Sequence, residues 1–171
     1  MRLKNPGRDI TFRDEVRGDI TFNTTELGDI VIARNLDDAL YHFTVVIDDY
    51  EMGVTHVIRG EDHISNTPRQ ILIQEALGFP RPIYAHIPLI LAPDRSKMSK
   101  RHGTVAIAEY RAGGYTKEAL INYIALLGWN PGTDQEMFTL SELIEKFKLE
   151  QVQKSGAVFD MTKLNWFNRE Y

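Results

Sequence analysis

The chain has 171 residues, with 20 Lys+Arg against 24 Asp+Glu, a formal net charge of −4, 43% apolar and 26% charged residues, and no cysteine. That balance is globular and has room for a core, and it excludes disulfides, thiolate metal sites and a cysteine nucleophile. No apolar run approaches the roughly 20 residues that span a bilayer, and Met1-Arg2-Leu3-Lys4-Asn5-Pro6 offers no apolar signal core, so a soluble, cytoplasmic protein is expected, its net charge arguing mildly against a nucleic-acid binder.

Residues 1–34 carry a ten-residue repeat. Asp9-Ile10-Thr11-Phe12, Asp19-Ile20-Thr21-Phe22 and Asp29-Ile30-Val31-Ile32 recur in step, with Gly18 and Gly28 before the second and third copies. Alternating β-branched and aromatic residues between turn formers predict short strands, here a small antiparallel meander. Residues 40–52 are rich in β-branched residues, which favours a strand, yet thirteen residues fit a helix better. Thr55-His56-Val57-Ile58-Arg59 reads as a strand. Thr67 then reads as an N-cap with Pro68 at the first helical position, the helix runs to Leu77, and Gly78 closes it. A second strand over Ile83 to Ile90 completes a βαβ unit, which implies parallel strands. Ligands of such sheets sit beyond the strand C-termini, here near Arg59-Gly60-Glu61-Asp62-His63 and Leu91-Ala92-Pro93.

From residue 104 onward the pattern is helical. One helix runs from Val105 to Arg111 and stops at Gly113-Gly114. Thr116 caps a second, whose inner face is expected to carry Leu120, Ile121, Ile124 and Leu127. Trp129-Asn130-Pro131-Gly132 is a turn. Thr139-Leu140-Ser141-Glu142 is a capping box, and Phe138 with Leu143 has the spacing of a hydrophobic staple. Asp160 caps a last helix through Trp166.

The sharpest chemical feature is Asp94-Arg95-Ser96-Lys97-Met98-Ser99-Lys100-Arg101-His102-Gly103. Four cations, Arg95, Lys97, Lys100 and Arg101, fall within seven residues of an otherwise acidic chain. Two lysines three apart on a loop can close on a polyphosphate and stabilise charge that develops during attack at phosphorus. A solvated basic loop is the competing reading, which composition alone favours. Asp48-Asp49 suits capping and solvation better than a metal pair. His56 and His86 read as packed or hydrogen-bonded structural residues, and no His/Asp/Glu spacing makes a metal site.

Lys97-Met98-Ser99-Lys100 is the signature loop of class I aminoacyl-tRNA synthetases, and Arg101 after it resembles the glutamate-specific members. Tyr41-His42-Phe43, Val46-Ile47-Asp48-Asp49, Met52 to His63, Asn66-Thr67-Pro68-Arg69-Gln70, Leu126-Leu127-Gly128-Trp129 and Val158-Phe159-Asp160 with Lys163-Leu164 and Trp166 are likewise similar to bacterial-type glutamyl-tRNA synthetases. The resemblance covers essentially the whole chain. It implies an α/β fold: a β-rich end of an acceptor-binding insertion (1–40), the second half of a Rossmann-type catalytic domain with the signature loop (41–103) and a helical stem-contact domain (104–171).

The resemblance also implies a two-step reaction. Glutamate attacks the α-phosphate of ATP, and the glutamyl group of the adenylate then passes to the 3′ end of tRNA-Glu, whose acceptor stem the enzyme holds. Arg59, Tyr41 and His42 match glutamate-binding positions, and a guanidinium is a natural fork for a carboxylate. The competing reading of Arg59 is an ion pair with Glu61 or Asp62, and that of Tyr41 is core packing. Asp62, His63 and Ile90 match positions at the ATP site, Ile90 through its backbone. Lys97, Met98, Ser99, Lys100 and Arg101 form the ATP loop, with Lys97 and Lys100 as the catalytic pair. Mg²⁺ arrives with ATP, held mostly by phosphates and water, and no zinc site is expected in this segment. The family's His-x-Gly-His motif is missing from the chain, so an internal part of a larger enzyme is expected, inactive alone, with an exposed sheet edge. A glutaminyl-tRNA synthetase, a glutamyl-Q tRNA-Asp synthetase or a non-catalytic tRNA-binding module are the alternatives. The local cationic loop also corrects the whole-chain charge argument, because such enzymes grip tRNA with local patches.

Overall fold

The protein is described over residues 1–99 and 106–171 of a computed structural model. It divides into two compact units, Met1–His86 and Ile87–Tyr171. The fold is mixed α/β, as the sequence predicts.

In the first unit, β2 (Asp9–Asp14) and β3 (Gly18–Asn23) form an antiparallel hairpin with Asp9 opposite Asn23 and Asp14 opposite Gly18. Gly18 supplies the positive φ of 81° that the tight turn requires. Alternation sends Ile10, Phe12 and Asp14 inward while Asp9, Thr11 and Arg13 face solvent. Thr11 and Thr21 share a cross-strand hydroxyl contact of 2.9 Å on the outer face.

The third repeat copy does not extend this hairpin into a meander. A 3-10 turn over Thr24–Leu27, started by the Asn23 side chain accepting the Thr25 N–H, carries the chain away. Strand β4 (Ile30–Val31) then pairs antiparallel with β1 (Arg2–Leu3). A short hairpin, β5 (Ala33–Asn35) with β6 (Asp38–Ala39), follows.

Residues Tyr41–Glu51 are helix α1, so length decides over β-branched content. Strand β7 (His56–Gly60), helix α2 (Thr67–Leu77) and strand β8 (Ile83–Ile87) form the predicted βαβ unit. The sheet order is β3-β2-β8-β7, with β2 and β8 parallel. The Ile83 N–H donates to the Thr55 carbonyl at 2.9 Å, and Arg59 reaches His86 at the other end, so β7 and β8 run in the same direction. Among the described residues β7 ends the row, with Ile58 exposed.

Thr67 is not an N-cap. Its backbone is already helical, because a 3-10 turn over Glu61–Asn66 feeds straight into α2, and its buried hydroxyl is used elsewhere. Gly78 behaves as predicted and closes α2 at a left-handed φ of 70°, whereas Pro68 follows Thr67 as the second helical residue, one position later than expected but still within the first turn. Ile10, Phe12, Ile30, Val46, Ile71, Leu72, Ile73 and Tyr84 form the core of this unit.

The second unit begins where the predicted long strand breaks. Pro88 has no N–H for a ladder, so β8 ends at Ile87 and β9 covers only Ile90–Leu91, parallel to β10 (Ala157–Val158). Helix α3 (Ile107–Ala112) stops at the predicted Gly113, the expected start at Val105 lying outside the described residues, and α4 (Lys117–Gly128), α5 (Leu140–Lys146) and α6 (Met161–Glu170) follow their predicted N-caps, α6 running past Trp166. Thr116 accepts from Ala119, Asp160 accepts from Thr162, and the Thr139/Glu142 capping box is complete.

The buried face of α4 differs from the periodic expectation. Ala119, Leu120, Asn122 and Tyr123 are buried, whereas Ile121 and Ile124 are exposed. Asn122 explains the rotation. Its carboxamide oxygen accepts the Phe138 N–H and the Tyr171 hydroxyl, both at 2.7 Å, and its amide donates to the Glu136 carbonyl at 2.9 Å. A polar residue thereby takes an inward position by satisfying three groups at once.

Candidate functional site

Arg59 sits at the end of β7, just before Gly60 and the Glu61–Asn66 turn, where a parallel sheet presents ligand-binding groups. It is not paired with Glu61 or Asp62. Its Nε donates to His86 Nε2 at 3.1 Å and its Nη2 donates to the Thr67 hydroxyl at 2.8 Å, with a longer approach of 3.5 Å to the His63 carbonyl. Glu61 instead pairs with Arg17, whose Nε also donates to the His86 carbonyl. Burial lowers the Arg59 pKa, while Tyr84, Tyr41 and Asp49 pull it upward. The Asp49 carboxyl is pushed up by burial against the opposing pull of Arg59.

Tyr41 opens α1 and is half exposed. Its hydroxyl lies 3.5 Å from His63 Nδ1, and the two rings meet edge to face. His42, the next residue, is partly buried, and its Nδ1 has no hydrogen-bond partner among the described residues. Burial pushes the His42 pKa down, and the nearby Arg69, Arg59 and His63 push it the same way, all favouring the neutral ring. Asp62 is exposed on the same turn as His63. The first unit therefore gathers Tyr41, His42, Arg59 and His63 into one polar cluster, with a neutral histidine and a fixed guanidinium suited to an anionic ligand.

Behind Arg59 lies a feature that the sequence reading treated as structural only. Asp14 and His86 have fully buried side chains, 2.6 Å apart between Oδ2 and Nδ1. Asp14, His86 and Thr67 were all missed as site residues. One signal was available: an acid at the third inward position of an Ile10, Phe12, Asp14 alternation breaks the apolar pattern and calls for a buried partner.

In the second unit, residues 90–98 fold back on themselves. The Met98 N–H donates to the Ile90 carbonyl at 3.0 Å and the Ala92 N–H to the Ser96 carbonyl at 2.8 Å. Asp94 Oδ1 accepts from the Ser96 backbone and hydroxyl, and Arg95 adopts a left-handed φ of 63°. The approach to the basic segment is thus a defined turn that sets Lys97 opposite Leu91. Ile90 also lines an apolar cavity of about 230 Å³ with Ile87, Leu127, Trp129 and Phe147. Lys97, Met98 and Ser99 are described, whereas Lys100 and Arg101 lie outside the described residues. Among the described residues no group of three or more His, Asp or Glu is placed to hold a metal ion, and no helix is long and apolar enough to cross a membrane.

A family model for the catalytic domain of class I tRNA synthetases (E and Q) matches residues 1–166. A glutamate–tRNA ligase of Carboxydothermus hydrogenoformans is 56% identical over 172 aligned residues, which cover the whole chain and 36% of that protein. One from Aquifex aeolicus is 54% identical, again over the whole chain and 37% of its own length. The crystal structure of a glutamate tRNA ligase from Elizabethkingia meningosepticum, in complex with its amino acid, superposes with a TM-score of 0.91 at 39% identity, over 99% of this chain and 38% of that one. The chain thus spans just over a third of the length of these relatives.

Proposed function

Because the chain belongs to the class I tRNA synthetases (E and Q), we propose that it forms the central catalytic part of a glutamate–tRNA ligase working in the cytoplasm. The proposed layout keeps the three segments expected from the sequence: the end of an acceptor-binding insertion (1–40), the second half of the catalytic domain (41–103) and a stem-contact region (104–171). In the first step a glutamate carboxylate oxygen attacks the α-phosphorus of ATP. The bond to the bridging oxygen breaks, and pyrophosphate leaves with the electron pair. In the second step a hydroxyl of the terminal ribose of tRNA-Glu attacks the activated carbonyl carbon, and AMP leaves.

The Arg59 guanidinium receives a glutamate carboxylate, with the Tyr41 hydroxyl and neutral His42 completing the pocket. His63 and Asp62 stand toward the nucleotide, where an acid suits a ribose hydroxyl or the adenine amino group, not phosphate. The Ile90 backbone reads adenine. Lys97, Met98, Ser99, Lys100 and Arg101 close on the phosphates, and Lys97 and Lys100 stabilise the charge that builds during attack. Mg²⁺ enters with ATP as part of the substrate.

The observation that carries this reading is the half-buried, pre-positioned Arg59 at a strand C-terminus beside Tyr41 and His63, in a chain whose relatives are named glutamate–tRNA ligases. The test is aminoacylation by the complete enzyme containing this segment, with purified tRNA-Glu, tRNA-Gln and tRNA-Asp. Charging of tRNA-Glu with glutamate is expected, and glutamylation of tRNA-Asp alone would sink the reading. In the same enzyme Lys100→Ala should lower ATP–pyrophosphate exchange by about 10²-fold or more with little change in folding.

A further inference from the structure

We propose that Asp14 and His86 are positioning residues for the Arg59 guanidinium, which they orient through one imidazole held in a single tautomer. The proposal rests on the reading of Arg59 as the carboxylate-binding residue and deepens it.

The tautomer follows from the hydrogen bonds. A guanidinium only donates, so the His86 Nε2 that receives Arg59 Nε at 3.1 Å must be unprotonated. The imidazole is then neutral, with its proton on Nδ1, and that N–H donates to Asp14 Oδ2 at 2.6 Å. Asp14 is an acceptor at every contact. Oδ2 also takes the His86 backbone N–H at 3.0 Å, and Oδ1 takes the N–H groups of Val16 and Arg17 at 3.0 and 2.9 Å. Burial, the largest influence on His86, lowers its pKa and agrees with a neutral ring.

Thr67 provides the second anchor. Its hydroxyl accepts from Arg59 Nη2 at 2.8 Å, sits 3.2 Å from His86 Nε2, and directs its own proton to the His63 carbonyl at 3.4 Å. Two held nitrogens, Nε and Nη2, fix the plane of the guanidinium, and none of these bonds uses Nη1. An unsupported arginine would lose side-chain freedom on binding a ligand; here much of that ordering is already in place. Nothing local in sequence does this. Asp14 is 72 residues from His86 and reaches it because β2 pairs with β8, Asp14 opposite Tyr84. If the core needed only stability, apolar residues of similar volume would serve as well as a buried polar chain, which points to orientation as its purpose.

The test uses the complete enzyme containing this segment, with ATP–pyrophosphate exchange measured against glutamate and ATP separately. Asp14→Asn places an NH₂ against an N–H in either amide orientation, and His86→Leu removes the relay. Both should raise the glutamate KM by about tenfold while the ATP KM stays within about twofold. His86→Gln, which can still offer an oxygen to Arg59, should fall between His86→Leu and the parent. Nitrogen-15 NMR of the histidine-labelled parent enzyme should show His86 with Nδ1 protonated and Nε2 bare, a readout that needs no variant to fold. A protonated Nε2 overturns the proposal. So does a rise in both KM values together, or a loss of kcat with both KM values unchanged, since either is what a merely structural role produces. If Arg59→Ala raises the glutamate KM and the Asp14 and His86 variants do not, this inference falls and the reading of Arg59 stands. If Arg59→Ala leaves the glutamate KM unchanged, that reading falls and the inference falls with it.

Discussion

Gly156→Ala tests the packing that holds β9, and its sign is the informative part. Gly156 lies just before β10, and its backbone does not need a positive φ. On conformational entropy alone an alanine there should stabilise by about 0.4–1 kcal/mol, because it restricts the unfolded chain. The space around it says otherwise. A Cβ would stand 2.8 Å from Leu91 Cδ1 and 3.0 Å from both the Leu89 carbonyl oxygen and Leu91 Cγ. The Leu91 methyl can swing aside, but the carbonyl cannot, since it accepts the Ala157 N–H at 3.3 Å in the β9–β10 ladder. Relief must come from parting the two strands. Overpacking of this kind costs about 1–3 kcal/mol, so the net effect is a loss of roughly 0–2.6 kcal/mol once the entropic gain is subtracted. At about 2–4 °C per kcal/mol for a chain of this size, a mid-range loss near 1.5 kcal/mol lowers the melting temperature by about 3–6 °C. Thermal melting followed by circular dichroism reads this directly. A melting temperature above that of the parent would refute the contact geometry assigned to Gly156.

Two further substitutions probe the second unit. Asn122→Leu strands the buried Phe138 N–H and the Glu136 carbonyl, so denaturant unfolding should show a loss of about 3 kcal/mol, and a loss below about 1 kcal/mol would contradict the three hydrogen bonds drawn to it. Thr139→Ala removes one half of the capping box and should cost about 1 kcal/mol in the same assay. The Glu142 carboxyl is held below its usual range, first by the Thr139 backbone N–H and then by the Thr139 hydroxyl. Its contribution is therefore full above the ordinary carboxylate value and fades as pH falls through the lowered one. The parent should lose more stability than Thr139→Ala across that acid window, and parallel pH profiles would contradict the assignment.

The features legible in the sequence are those set by near neighbours. Thr116, Thr139 with Glu142, and Asp160 bond to backbone two or three residues away, so composition at those positions was enough. The β2–β3 hairpin was visible because Gly18 and the ten-residue repeat act locally. The third copy escaped because its partner, β1, lies some thirty residues earlier and no local signal separates that pairing from a meander. The α4 face was misjudged because Asn122 counts as polar in any periodicity argument, yet its three bonds are made to residues 14, 16 and 49 positions on. The same limit shaped the site. Arg59, Tyr41, His42 and His63 were named from the sequence and do come together. The competing reading of Arg59, an ion pair with its neighbours Glu61 or Asp62, is not what forms: Arg59 donates to His86 and Thr67, and Glu61 pairs with Arg17. Asp14 and His86 become partners only through strand order.

Arg59 is proposed to bind a glutamate carboxylate in the complete enzyme that contains this segment. Arg59→Ala in the complete enzyme, assayed by glutamate-dependent ATP–pyrophosphate exchange in the presence of tRNA-Glu, tests it most directly. Losing a charge-assisted carboxylate contact worth about 3 kcal/mol should raise the glutamate KM by roughly a hundredfold and leave the ATP KM near its parent value. An unchanged glutamate KM, or exchange that proceeds without glutamate, would contradict the account.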